Sequence, residues 1–248
     1  MTEIIFGIPS YHRPDCTTYK YLLGLGIRND NIIIGLNDPK DYKEYKRKHP
    51  KANFIINKGN SASFNRNRLL DHINKQCVLL DDDIRTIRKN KKSSTSKYGK
   101  LKDLQSSEIL PLFQSLFDYT EKCNGKIFGV CATDNTMTMK SRLDTWGLYT
   151  PDVVIQGTIM GIVDKELRFD EDFLMVEDYE LSCRIIKSGS HTIRRNDLCA
   201  MKPKNGTNTG GLHERYENGE LEFWLDKACK KYKFLRKNNQ QTGAKIVL

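Results

Sequence analysis

The sequence contains no run of 18 or more apolar residues, so it offers no segment able to cross a bilayer as a helix. It contains no CxxC pair. Its seven cysteines, Cys16, Cys77, Cys123, Cys131, Cys183, Cys199 and Cys229, are scattered and odd in number. That pattern argues against a disulfide framework or a thiolate zinc site, and for reduced, mostly buried thiols in a cytosolic protein. No basic stretch of the secretory type precedes the first apolar run, so no leader is expected. That run, Ile4-Ile5-Phe6-Gly7-Ile8-Pro9, leads into Ser10-Tyr11-His12-Arg13-Pro14. The glycine-rich phosphate loop of a nucleotidyltransferase is missing there. Acids are also outnumbered: 31 Asp and Glu face 41 Lys and Arg, a formal charge of +10. A polyanionic partner is one reading of that excess, and simple solubility is the other.

Short apolar runs alternate with helical patterns through the first 80 residues. Strands are predicted at Ile4–Pro9, Asn31–Leu36, Asn53–Ile56 and Val78–Leu80, with helices at Thr17–Leu25, Tyr42–Lys48 and after the Gly59-Asn60-Ser61 cap. This alternation predicts an α/β fold with a mainly parallel sheet flanked by helices, in which ligands gather beyond the carboxyl ends of strands. No repeat or composition break divides the chain, so 1–248 reads as one domain. Further on, a helix is predicted over Ser106–Tyr119, strands at Ile127–Cys131 and Thr192–Arg195, and one bulged or two short strands over 153–163. Helices are predicted over Glu177–Lys187 and 217–236, within a C-terminal helical extension over 217–240. Residues 205–211, rich in Gly, Asn and Thr, read as a flexible loop. Residues 85–102 carry eight basic residues and no acid, and read as a long, mobile basic loop.

Two acidic motifs stand out. Val78-Leu79-Leu80 ends abruptly in Asp81-Asp82-Asp83. On an extended backbone Asp81 and Asp83 point the same way, and a pair of carboxylates suits Mg²⁺ or Mn²⁺ shared with phosphates. Glu177 and Asp178 open the later helix, where the helix dipole keeps a carboxylate ionised and able to take a proton from a hydroxyl. The plain alternatives are a solvated acidic turn and ordinary acid enrichment in a first helical turn.

The string FDEDFLMVEDYELSCRIIKSG resembles the Glu-Asp segment of inverting GT-A glycosyltransferases of the polysaccharide-synthase-like family 2. IPSYHRP resembles that group's first strand and nucleotide loop, and GNSASFNRNRLLDHINKQCVLLDDD its Arg-Asn helix and Asp-x-Asp strand. The three motifs span residues 4–189 in the expected order. The resemblance implies a Rossmann-like GT-A fold and transfer of a hexosyl or pentosyl group from a nucleotide-sugar, such as a UDP-sugar. It implies Pro9, Ser10, Arg13, Asn37, Asp38, Arg66, Asp81 and Asp82 on the donor, with Mn²⁺ or Mg²⁺ on Asp81 and Asp83. His213 is the candidate further ligand. Asp178 would be the base and Glu177 its neighbour.

For the acceptor, the basic segments 85–102 and 227–237 suit phosphate contacts, and Tyr98, Tyr232 and Phe234 could stack on bases. A small basic chain with this motif layout is similar to the TET-associated glycosyltransferases of bacteriophage DNA hypermodification. That likeness implies a DNA acceptor carrying a modified pyrimidine such as 5-hydroxymethylcytosine, and a phage-encoded monomer or weak oligomer in the host cytoplasm. Arg85, Arg88, Lys89, Lys91, Lys92 and Lys97 would grip the DNA. The alternatives are a family 2-like enzyme acting on a polysaccharide or lipid-linked sugar and a non-catalytic DNA-binding module.

Overall fold

The computed structural model describes residues 3–59, 61–203, 211, 213–237 and 243–247. The chain opens with strand–helix units: β1 (Ile4–Ser10), α1 (Thr17–Gly24), β2 (Ile32–Leu36), α2 (Tyr42–Lys48), β3 (Asn53–Ile56), α3 (Ala62–His72) and β4 (Gln76–Leu80). These four strands lie parallel in the order β3-β2-β1-β4. Continuous apolar runs suit strands covered on both faces, and Phe6, Ile8, Ile32, Ile34, Val78 and Leu80 are fully buried. The chain winds outward from β1 to β3 and then returns to place β4 on the other flank of β1. That reversal opens a crevice beyond the carboxyl ends of β1 and β4. Ser10 closes β1 there, and Asp81 follows β4.

The remaining elements are β5 (Thr86–Lys91), β6 (Lys100–Asp103), α4 (Ser106–Lys122), β7 (Gly125–Cys131), α5 (Thr136–Trp146), β8 (Tyr149–Pro151), β9 (Ile159–Ile162), α6 (Glu177–Lys187) and β10 (His191–Met201). They extend the sheet as β4-β9-β7-β10-β5-β6, with β9 antiparallel to both its neighbours and β10 parallel to β7. One face carries Leu22, Ile109, Phe113 and Phe117 from α1 and α4; the other carries Leu69, Leu181 and Ile185 from α3 and α6. The predicted mixed, mainly parallel α/β sheet flanked by helices is the observed one.

Four local expectations are corrected. The segment expected as a loop over 85–102 contains the antiparallel hairpin β5–β6, and only residues 92–99 connect its strands. Three of its eight cations are matched by acids outside the segment: Arg88 by Asp103, Lys91 by Glu108 and Lys89 by Asp197. Residues 153–158 carry no strand, so β9 is shorter than read. α5 and β8 were not anticipated, because α5 is polar and buries only Met139. Its start is fixed by Asn135, whose side chain accepts from the N–H groups of Met137 and Thr138 at 3.0 and 3.2 Å. The C-terminal extension is α7 (His213–Glu217), α8 (Glu220–Lys231) and a small hairpin of β11 (Leu235–Lys237) and β12 (Ala244–Ile246). Residues 238–240 of that extension and 205–210 of the expected flexible loop lie outside the described residues.

α8 is fastened to α6 by Phe173, Trp224 and Leu225 and by one buried acid. Glu180 is fully buried, and accepts from Tyr232 Oη at 2.7 Å, Lys231 Nζ at 3.0 Å and Arg184 Nε at 3.3 Å. Tyr232 is therefore a buried anchor, not a surface for stacking bases. Replacing it, Tyr232→Phe, removes one hydrogen bond to a charged acceptor and should cost about 1.5–3 kcal/mol. Urea denaturation followed by far-UV circular dichroism measures this, and an unchanged midpoint would show that Lys231 and Arg184 suffice.

Candidate active site

The two acidic motifs meet across one guanidinium. Arg66 projects from α3, whose start is fixed by Ser61 accepting the Phe64 N–H at 3.1 Å. Its side chain is buried over the ring of Phe169, 5.4 Å from the centroid. Nη1 donates to Glu177 Oε1, and Nη2 donates to Asp81 Oδ1 at 3.3 Å and to the Gly157 carbonyl at 3.4 Å. A Cβ on residue 157 would lie 2.3 Å from Nη2, so only glycine lets the segment approach so closely.

Asp81 is held on its other oxygen by Lys202, with Nζ 2.7 Å from Oδ2. Lys202 follows β10 and was not anticipated, because its partner lies 121 residues away in sequence. Burial alone would raise the Asp81 carboxyl, but Lys202 and Arg66 overcome it and hold it at about 2.

The strand ends at Leu80, and Asp82 and Asp83 form a turn. The strict alternation expected of an extended backbone therefore stops at Asp81. Arg13 Nη1 donates to Asp82 Oδ1 at 3.0 Å and to Asp83 Oδ2 at 3.3 Å. Ser10 Oγ donates to the buried Asp82 as well, and Tyr45 Oη lies 2.7 Å from Ser10 Oγ while accepting the Arg13 N–H at 2.8 Å. Burial, against the pull of Arg13 and Ser10, pushes Asp82 up to about 6. Ser10 and Arg13 thus gather at the Asp motif as a second layer, and Tyr45 is a supporting residue that sequence reading missed. Pro9 lies within β1, one residue before Ser10. Asn37 is buried and donates to the Ser61 carbonyl at 2.7 Å, while Asp38 caps the next turn through the Lys40 N–H at 2.9 Å.

At the other motif Asp178 is anchored on both oxygens: Oδ2 accepts the Gly157 N–H and Oδ1 the Tyr179 N–H, each at 2.9 Å. Glu177 is buried, whereas Asp178 keeps part of its surface. Burial pushes Glu177 up to about 7, against Arg66 and helped by the charge of Asp178. Burial likewise raises Asp178, against Arg66 and its two backbone donors. The Tyr216 phenol of α7 is raised by burial and then by Asp178, Glu177 and Asp81, which places α7 beside the site. Gly211 N–H donates to the Tyr11 carbonyl at 3.0 Å, so the segment before α7 touches the loop after β1.

The expected Mn²⁺ or Mg²⁺ meets carboxylate oxygens of the right chemistry. His213, however, lies 3.3 Å from Glu217 of its own helix, and among the described residues no three His, Cys, Asp or Glu side chains form a metal-binding group. A protein-only cage is therefore not built. Mg²⁺-type sites commonly use one or two carboxylates and complete their shell with phosphate and water; Asp81, held by Arg66 and Lys202, and Asp83, held by Arg13, have the donor chemistry for that form. Of the expected DNA-gripping cations, Arg88, Lys89 and Lys91 are paired with acids, while Arg85, Lys92 and Lys97 are exposed. None of the six belongs to the carboxylate cluster.

No protein-family model matches the sequence, and no curated protein matches it either. Solved structures do match. The mannosyltransferase PcManGT from Pyrobaculum calidifontis, in complex with GDP-Man and Mn²⁺, is similar with a TM-score of 0.60 at 11% identity, over 92% of this chain and 64% of that one. The chain therefore spans less than two thirds of that enzyme's length. TarS 1–349 from S. aureus, in complex with UDP, gives a TM-score of 0.43 at 10% identity, over 80% of this chain and 59% of that one. A CMP:2-keto-3-deoxy-manno-octonic acid synthetase complexed with CTP gives 0.42 at 10% identity, over 78% and 89%. These last two are too loose to add to the first, which identifies the fold as Rossmann-like GT-A.

The raised Glu177 carboxyl has a stability consequence of definite sign. Between its ordinary value of 4.5 and about 7 the folded state holds a proton that the unfolded chain has released. Stability from this group is therefore greatest below about 4.5 and falls as pH rises from there to about 7. Urea midpoints at pH 5 and pH 7.5 should diverge more in the wild type than in Glu177→Gln. Equal pH dependence in the two proteins would place the retained proton elsewhere.

Proposed function

We propose that the chain transfers a glycosyl group from a nucleotide-sugar to an acceptor hydroxyl with inversion at the anomeric carbon. The observation that carries this reading is Arg66, which ties Asp81 at the sheet reversal to the Glu177-Asp178 pair and so holds a donor side and an acceptor side in fixed relation. The fold it shares with PcManGT, a mannosyltransferase in complex with GDP-Man and Mn²⁺, supports the same class of donor.

In this reading the donor lies beyond β1 and β4, near Ser10, Arg13, Asn37 and Asp38. A divalent cation held at Asp81 and Asp83 would neutralise charge on the departing nucleoside diphosphate. Arg13, Arg66 and Lys202 hold the three consecutive carboxylates in position despite their mutual repulsion. Asp178 is the base. It is the reachable member of the acidic pair, both oxygens are oriented by backbone donors, and its raised proton affinity brings it closer to neutral pH than an ordinary carboxylate. It takes the acceptor's proton as the acceptor oxygen attacks the anomeric carbon on the face opposite the leaving group. Glu177, locked to Arg66, positions the helix start and does not reach substrate.

The acceptor we propose is a hydroxyl on a modified DNA pyrimidine such as 5-hydroxymethylcytosine. Support comes from the net charge of +10 and from the exposed Arg85, Lys92 and Lys97 of the hairpin region. A base in a duplex would have to be extruded to reach Asp178.

Mass spectrometry of nucleosides after incubating hydroxymethylcytosine DNA with Mn²⁺ and a panel of UDP- and GDP-sugars should reveal one hexosyl or pentosyl adduct. Asp178→Asn should slow its formation by about 10²- to 10⁴-fold without loss of folding. Full activity in Asp178→Asn would overturn the base assignment. Release of nucleoside diphosphate from a donor with no DNA adduct would retain the donor reading and reject the DNA acceptor.

A further inference from the structure

Outside the acidic cluster, α5 and β10, which pack together, each carry an arginine that has no carboxylate partner among the described residues. Arg194 lies in β10, its Nε donating to Asn196 Oδ1 at 3.1 Å and its Nη2 to Thr150 Oγ1 at 3.5 Å. Arg142 lies in α5, one turn after Met139, the residue that packs this helix onto Cys131 and Cys199 of the sheet. Residues three apart on a helix share a face, so Arg142 is turned toward β10. Its Nη1 is buried with no hydrogen-bond partner. Burial first, and then the charge of Arg142, pushes Arg194 down to about 10. Among the described residues neither guanidinium has an acidic partner, in contrast to Arg13, Arg66 and Arg195.

Two such cations on packed elements, one with a buried N–H that has no acceptor among the described residues, lack an anion. The planar guanidinium fork matches an oxyanion with two or more equivalent oxygens, phosphate above all. Trp146 lies four residues beyond Arg142 on the same helix and is 61% exposed. An aromatic platform beside arginines is how single-stranded nucleic acid is held, with a base on the ring and its phosphate on the cations. The position also suits an acceptor. Arg194 is in register with Gly129 of β7, and the side of Gly129 that Arg194 shares is occupied by Ile155, two residues before the Asp178 partner Gly157.

We propose that Arg142 and Arg194 form a phosphodiester-binding subsite for the acceptor strand, with Trp146 stacking an adjacent base. This rests on the DNA-acceptor reading above.

The test is fluorescence anisotropy of the full chain with a labelled single-stranded oligonucleotide containing hydroxymethylcytosine, across a salt series. Arg142→Gln and Arg194→Gln should each flatten the slope of log K against log salt by about 0.7, one phosphate contact on a single strand. Arg142→Lys should keep the slope. Trp146→Ala should weaken binding about tenfold with the slope intact. Arg142→Gln relieves a like-charge contact, so its melting temperature should equal or exceed that of the wild type. Wild-type slopes in both Gln variants would overturn the subsite and leave the acceptor reading standing. Inorganic phosphate provides the second arm. If the wild type fails to bind DNA yet is thermally stabilised by phosphate, and both Gln variants lose that stabilisation, the nucleic-acid assignment falls and the anion site remains. No DNA binding and no phosphate effect would reject both.

Discussion

The structure depends on neutralising one buried guanidinium. Arg66 is almost fully enclosed, and an enclosed charge is tolerated only where opposite charges and acceptors meet it in good geometry. Four separate parts of the chain supply them: Asp81 after β4, the Gly157 carbonyl before β9, Glu177 at the start of α6, and the Phe169 ring beneath. Each part is constrained in return. Residue 157 must lack a Cβ. α6 must begin with an acid, and the preceding Val176 takes a left-handed conformation at φ 55° to turn the chain into it. Loss of this cation would leave two carboxylate groups buried against each other, so the arrangement holds as a unit or not at all.

The same cluster carries more acid than base. Asp81, Asp82, Asp83, Glu177 and Asp178 are opposed by Arg13, Arg66 and Lys202, two positive charges short of balance when every group is ionised. The shortfall is not shared evenly. Asp81, gripped from both sides, stays strongly acidic, while Asp82 and the Glu177-Asp178 pair are pushed upward. Two protons or one divalent cation would close the balance. A site so composed binds positive charge more readily than its individual carboxylates would, which is the electrostatic setting a metal-assisted departure of a diphosphate requires.

Legibility in the sequence followed the range of the interactions. The first four strands could be read because each is a continuous apolar run, and α6 because acids at its start, an apolar face and Gly189 after its end are all local signals. α5 lacked the apolar stripe that marks a helix and was missed. The β5–β6 hairpin looked like a disordered basic stretch because the acids that answer its lysines and arginines lie elsewhere: Asp103 just beyond it, Glu108 on α4 and Asp197 on β10. Lys202 was invisible for the same reason. Tyr232 showed as an aromatic among lysines, and only the fold reveals that its hydroxyl is taken by Glu180. Pairings made across the fold leave no periodic trace.

These pairings also change what the charge of +10 means. A net excess spread over a surface would draw any polyanion weakly and everywhere. Here many of the cations, including half of those in the hairpin expected to grip a polyanion, already serve intramolecular acids. Among the described residues, the cations without a carboxylate include the exposed Arg85, Lys92 and Lys97 around the hairpin, and Arg142 of α5 with Arg194 of β10. An acceptor that engaged the Arg142 and Arg194 pair would be held there by position rather than by bulk attraction. In the proposed subsite each such contact would fix register along the strand, while Trp146 would supply contact area that salt does not screen. Recognition built this way suits an enzyme that must place one hydroxyl against one carboxylate, because placement, not tightness of binding, is what shortens the path to the transition state.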